Sequence, residues 1–194
     1  MVAARPQQYA PFTEREYLAL EMLADTKHEY SGGVVVDMAG AEIAHNRVVT
    51  NLSAALVQAI GDGPCEVLSS DQRVKIESSS EYYYPDLIMV CDKPRIVEPR
   101  PRSLINPSAI FEVLSPSTQS YDEGIKLEAY KAIPSLREVV LIDSTGRRIT
   151  HHRRVDDQWH ADILRADDTL VLANGIEIAV ARIYRRVFDE PELG

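Results

Sequence analysis

The stretch AIFEVL at Ala109–Leu114, which runs on into SPST, constrains the fold most. In an extended strand alternate side chains share a face, so Ile110, Glu112 and Leu114 point one way and Phe111 and Val113 the other. Both faces are apolar, as in a central strand covered on two sides, and Glu112 sits in the middle of it. An ionised carboxylate there loses much of its hydration unless a cation, a metal or hydrogen-bond donors compensate. Glu112 therefore needs a partner.

The 194 residues, 45% hydrophobic and 26% charged, suffice for one globular domain, with its core over about 12–188. No apolar run approaches the roughly 18 residues of a membrane span, and the opening MVAARPQQYAPF lacks the apolar centre of a signal peptide. A cytoplasmic protein without membrane contact is expected. Cys65 and Cys91 lie far apart in apolar segments, with no CxxC or Cys/His spacing, which predicts buried free thiols. The net charge of −9 argues against a broad phosphate-binding surface, although it leaves room for a local basic groove. Arg147, Arg148, Arg153 and Arg154, with His151 and His152, form the densest basic cluster. A strand through it puts charge on both faces, which predicts a solvated hairpin and not a phosphate track.

Thr13 and Glu16 have capping-box spacing, and Tyr17, Leu20 and Leu23 recur at helical intervals, so a helix is predicted near 13–25. His28-Glu29-Tyr30 and the run Val34 to Met38 flank Ser31-Gly32-Gly33, a hairpin signal, with Glu29 on the first arm. His45, Val49, Leu52 and Leu56 make one stripe of a long helix over about 42–60 that Gly61 and Gly63 stop, and His45 begins its buried face. Cys65 to Glu77 reads as a strand interrupted by Asp71 and Gln72. Tyr82 to Cys91 reads as another, with Asp86 embedded among apolar neighbours and Pro85 marking its start or a bulge. The proline-rich 92–107 reads as an exposed loop. Ser115, Ser117 and Thr118 read as caps for a helix from Ser120 to Ile133, which contains Lys126. Glu138 to Asp143, Arg147 to Val155, Trp159 to Leu164 and Thr169 to Leu172 complete a β-rich C-terminal half, and 189–194 reads as a frayed end. The order predicts an α+β domain in which helices flank a central mixed sheet, with an added N-terminal hairpin and C-terminal strands.

Two acids on neighbouring core strands admit three explanations. Carboxylates are the preferred ligands of Mg²⁺ and Mn²⁺, and a Lewis acid held there can polarise a phosphodiester and activate water, with a lysine nearby to stabilise developing negative charge. An acid/base pair for glycoside cleavage needs an open sugar groove, for which few aromatic residues are available. The third explanation is that arginine or backbone donors satisfy each acid and it only fixes the fold.

PDL at 85–87, EVLSPST at 112–118, KLEAY at 126–130, HEYSGG at 28–33 and the helix bearing His45 together resemble the Uma-two endonuclease family, within the PD-(D/E)xK restriction endonuclease-like superfamily. The likeness spans about 12–188. It implies the restriction endonuclease-like fold with a divalent metal, Mg²⁺ or Mn²⁺, at its centre and DNA as the substrate. Asp86 matches the metal-binding aspartate and Glu112 the acid of the (D/E)xK element. Leu114 stands where that element has lysine, so the resemblance implies Lys126 on the following helix as the replacement. Glu29 matches an acid able to bind a metal or a metal-bound water, and His45 a histidine typical of the family. The expected site is Asp86, Glu112, Lys126, Glu29 and His45, with the metal held by Asp86, Glu112 and Glu29. The alternative is a non-catalytic nuclease-fold module that binds nucleic acid or protein, as one half of a homodimer. The −9 charge and the missing in-strand lysine keep that alternative open.

Overall fold

A computed structural model describes residues 11–38, 40–116 and 119–189 of the chain. Ser117, Thr118 and the segment 190–194, where two helix caps and most of a frayed end are expected, lie outside the described residues.

Thr13 caps α1 (Glu14–Glu21) through a complete capping box with Glu16. β1 (His28–Ser31) and β2 (Val34–Asp37) pair as the expected hairpin. Gly32 and Gly33 turn it at φ of 55° and 86°, values at which a side chain is disfavoured. α2 (Ile43–Ile60) buries Val48, Leu52, Ala55 and Leu56 and ends at Gly61. Val48, and not Val49, holds the innermost position of the stripe.

The segment expected as one strand over 65–77 is two, β3 (Glu66–Ser69) and β4 (Arg73–Ile76), which belong to different sheets. Tyr82 to Cys91 divides in the same way into β5 (Glu81–Tyr83) and β6 (Leu87–Val90). Pro85 explains the second break, because it has no N–H to give to a ladder. Asp86 therefore precedes a strand and is not embedded in one. The expected loop 92–107 is neither wholly exposed nor irregular. It holds β7 (Ile96–Val97) and the buried β8 (Ser103–Leu104), which lies parallel to β4.

β9 (Ala109–Leu114) is buried at all six positions. It pairs parallel with β10 (Glu138–Asp143) and antiparallel with β6. β11 (Ile149–Val155) and β12 (Gln158–Leu164) extend the sheet, giving the order β12-β11-β10-β9-β6-β3. The other large sheet runs β2-β1-β5-β4-β8-β7. The chain closes with the ribbon of β13 (Thr169–Val171) and β14 (Glu177–Ala179) and the short α5 (Val180–Ile183), of which β14 and α5 were not expected.

The two faces predicted for β9 are the two faces found. Phe111 and Val113 pack with α2, α5 and the ribbon. Ile110 and Leu114 pack against Leu127, Tyr130 and, from the other sheet, Val74, Tyr83 and Leu104. Glu112 lies on this second face, between the sheets.

Cys65 and Cys91 form a disulfide and are not free thiols. Because Glu66 is in register with Val90, the residue before β3 faces the residue after β6. Strand pairing sets this proximity, and a sequence separation of 26 residues conceals it.

Candidate active site

The register of β6 and β9 brings the two acids together. Leu87 lies opposite Phe111, so one step further along the antiparallel pair places Asp86 opposite Glu112. The Asp86 N–H points at Glu112 Oε2 at 3.4 Å, while Asp86 Oδ2 accepts a hydrogen bond from the Val113 N–H at 2.8 Å. Glu112 is only 4% exposed, whereas the Asp86 side chain retains 19%. The aspartate is thus the side of the pair that solvent reaches.

The partner that Glu112 requires comes from the segment after β9. Here α3 (Gln119–Tyr121) passes into a π-helical turn (Asp122–Lys126) and then into α4 (Leu127–Lys131). The wider turn, a form common at functional sites, places Asp122 and Lys126 on one buried side. Lys126 Nζ lies 2.9 Å from Glu112 Oε1, 3.0 Å from Glu29 Oε1 and 3.3 Å from Asp122 Oδ1. One ammonium thus satisfies three carboxylates with its three donors. Burial works against that ammonium, yet the charges of Glu112, Glu29 and Asp122 outweigh it and raise the lysine well above its ordinary pKa. Glu29 also accepts the Tyr84 N–H at 3.1 Å, which ties β1 to the approach of Asp86.

Tyr130, one turn beyond Lys126, donates its hydroxyl to Glu112 Oε1 at 2.6 Å. The ring is fully buried and packs edge-on against Tyr83 with centroids 5.4 Å apart. Burial, followed by the charges of Glu112 and Glu29, lifts its pKa well above the ordinary value. The phenol therefore remains a donor throughout the working pH range.

His45 reaches the site from the opposite layer, at the start of α2. Its Nε2 is 3.3 Å from Asp86 Oδ2, and its Nδ1 is buried with no hydrogen-bond partner among the described residues. Burial disfavours the imidazolium, but Asp86, then Asp122 and the Val113 backbone, outweigh it and raise the pKa.

All five residues expected from the sequence thus converge. Asp122 and Tyr130 join them and were not anticipated. Their spacing of four from Lys126 on either side, 122–126–130, was the available signal. The site holds four carboxylates, Glu29, Asp86, Glu112 and Asp122, against one ammonium and one imidazole. Glu112 registers the excess. Burial raises it, Lys126 offsets part of the rise, and Asp122, Asp86 and Glu29 add to it, so that it is pushed up to about 8.

Such a surplus of hard oxygen donors suits a divalent cation such as Mg²⁺ or Mn²⁺. Asp86 and Glu112 are the pair that could hold one. Among the described residues no group of three His, Cys, Asp or Glu side chains is arranged to hold a metal ion. Mg²⁺ does not require such a group, since it usually keeps several waters and takes one or two carboxylates.

A family model described as "Putative restriction endonuclease", Uma2, matches residues 15–182. The chain belongs to the Uma2 family. Two proteins of Synechocystis sp., both described as uncharacterized, are similar along most of the sequence. One, sll1609, is 39% identical over 148 residues, covering 76% of this chain and 84% of its own. The other, slr1290, is 34% identical over 194 residues, covering 95% and 98%. A crystal structure from Anabaena variabilis, described as a "putative nuclease", superposes with a TM-score of 0.74 over 92% of this chain and 100% of its own, at 15% identity. At that identity the likeness concerns the fold, which is mixed α+β and restriction endonuclease-like.

In this Uma2 protein Leu114, at the in-strand lysine position, is a core residue packed with Leu127 and Leu141. The strand through the basic cluster forms the β11–β12 hairpin, as expected, and several of its charges are engaged by neighbouring groups. Arg153 pairs with Asp162. Arg154 stacks on Trp159 and donates to the carbonyls of Lys131 and Ile133. His151 is buried against Glu138 at 2.8 Å. No helix among the described residues is long and apolar enough to cross a membrane.

Proposed function

We propose that this Uma2 protein is a metal-dependent endonuclease that hydrolyses phosphodiester bonds in DNA. The observation that carries the proposal is that Asp86 and Lys126, from separate elements, meet at the buried Glu112.

In this reading Asp86 and Glu112 hold a Mg²⁺ or Mn²⁺ ion. When bound, the ion supplies Lewis-acid polarisation of the phosphodiester and a lowered pKa for an attached water. The chain's own residues do the remaining work. Lys126 places positive charge where the transition state gathers negative charge. Glu29 commits Oε1 to Lys126 and the Tyr84 N–H, and its second oxygen orients the attacking water. His45 anchors Asp86 at Oδ2 and so fixes the direction of the ligating carboxylate. A homodimer is the assembly that presents one site to each strand of a duplex.

The test is cleavage of linear, nicked and branched DNA with Mg²⁺ or Mn²⁺. Asp86→Ala, Glu112→Ala and Lys126→Ala should each abolish cleavage, and activity that persists in the Asp86→Ala/Glu112→Ala double variant rules the proposal out. The charge surplus that supports metal binding also separates this reading from a non-catalytic module. A pure binding module should show no Mn²⁺-dependent rise in melting temperature.

A further inference from the structure

The two oxygens of Glu112 are in unequal surroundings. Oε1 receives both the Lys126 ammonium, at 2.9 Å, and the Tyr130 hydroxyl, at 2.6 Å. Oε2, among the described residues, meets only the Asp86 N–H at 3.4 Å, a long contact. A carboxylate has about four lone-pair positions, so the saturated oxygen is a poor ligand and the other is available. Rotation of the Glu112 carboxyl would exchange the two roles, and the Tyr130 hydroxyl opposes that rotation with a short hydrogen bond. Lys126 cannot do this alone, because Glu29 and Asp122 share its ammonium. Tyr130 is held in turn by its edge-on packing against Tyr83 and by full burial.

We propose that Tyr130 is a positioning residue that fixes the Glu112 carboxyl so that Oε2, on the side of Asp86, is the oxygen presented to the metal. The inference rests on the metal-dependent reading above. It assigns the hydroxyl of the KLEAY segment a function beyond filling the core, and it identifies which atom of Glu112 ligates.

The test measures Mn²⁺ binding by titration calorimetry on the full chain without DNA, alongside the Mn²⁺ dependence of cleavage. Tyr130→Phe keeps the ring and removes the donor. It should weaken Mn²⁺ binding by about 10–100-fold, the range for partners that orient metal ligands, and raise the Mn²⁺ needed for half-maximal cleavage in proportion, with KM for DNA unchanged. Tyr184→Phe removes a buried hydroxyl that bonds the Asp143 and Arg148 backbone in the other core and should bind Mn²⁺ like the wild type. Tyr130→para-aminophenylalanine, which restores a donor on the same ring, should recover most of the affinity. A Tyr130→Phe protein that unfolds at lower temperature yet binds Mn²⁺ as the wild type does overturns the inference and leaves the metal reading intact. If Tyr130→Phe does not fold, the para-amino variant decides. Its weaker donor should lower affinity by a few-fold, and unchanged affinity overturns the inference. A wild-type protein that takes up no Mn²⁺ overturns the metal reading and the inference with it.

Discussion

Two regions of this protein are dense in charge, and they handle it in opposite ways. Around Glu112, four carboxylates share one buried ammonium and one imidazole, between two sheets and almost without solvent. On the β11–β12 hairpin the arginines are partly exposed and each has its own acceptor, Arg153 in Asp162 and Arg154 in the carbonyls after α4. The first arrangement leaves a negative surplus that desolvation makes costly. The second gives each guanidinium a neighbouring oxygen. Charge density alone does not mark a site. An imbalance that folding has not removed does, because the fold keeps an unfavourable group only where the surroundings or a ligand compensate.

The comparison can be broken most directly at Lys126. Lys126→Met deprives three buried carboxylates of their shared cation and should destabilise the metal-free protein by about 3–5 kcal/mol, the usual cost of breaking a buried ion pair, read from urea unfolding. A loss no larger than that of a surface ion pair would place both regions in the same class.

Mn²⁺ should act on the acidic region and not on the hairpin. At a free concentration near 100 times Kd it should add about 2.7 kcal/mol of stability. Asp86→Asn should abolish the accompanying rise in Tm, whereas Arg153→Gln should leave it unchanged. Equal loss in both variants would disconnect the rise from Asp86.

The pH dependence has a definite sign. Glu112 is raised by burial and neighbouring acids to about 8 from an ordinary 4.5. Between those values the folded state holds a proton that the unfolded state has released, so stability falls as pH rises. In a chelating buffer, the unfolding midpoint should therefore drop from pH 5 to pH 8, and Glu112→Gln should flatten the drop. A profile identical in the wild type and this variant would remove Glu112 as its origin.

Smaller effects set the scale. Thr13→Ala removes the side-chain half of the α1 capping box, the oxygen that accepts the Glu16 N–H, while the backbone N–H at 13 still donates to Glu16; it should cost about 1 kcal/mol without altering Mn²⁺ binding. Arg153→Gln, at an exposed pair, should leave the unfolding midpoint within experimental scatter.

Much of this was legible in the residues because it depends on local period. The alternation of 109–114 identified both faces of β9 and placed Glu112 on the face it occupies. The spacing along 43–60 put His45 at the start of the buried side of α2, and Gly32-Gly33 located the first hairpin. Lys126 was reached only through the absence of lysine at 114, by resemblance to a family.

Tertiary structure decided what depends on pairing between distant segments. The division of Tyr82 to Cys91 between two sheets moved Asp86 from mid-strand to the joint before β6, and strand register then set it opposite Glu112. The same register joined Cys65 to Cys91. The spacing 122–126–130 was visible, but that a π turn carries Asp122 and Lys126 onto the side facing Glu112 was not. The residue pattern alone showed that Glu112 would be buried and would need a partner, since burial follows from the apolar residues on either side of it. Which partner, from which element, and which oxygen remains free depended on how separate strands and helices dock, and no local pattern encodes that geometry.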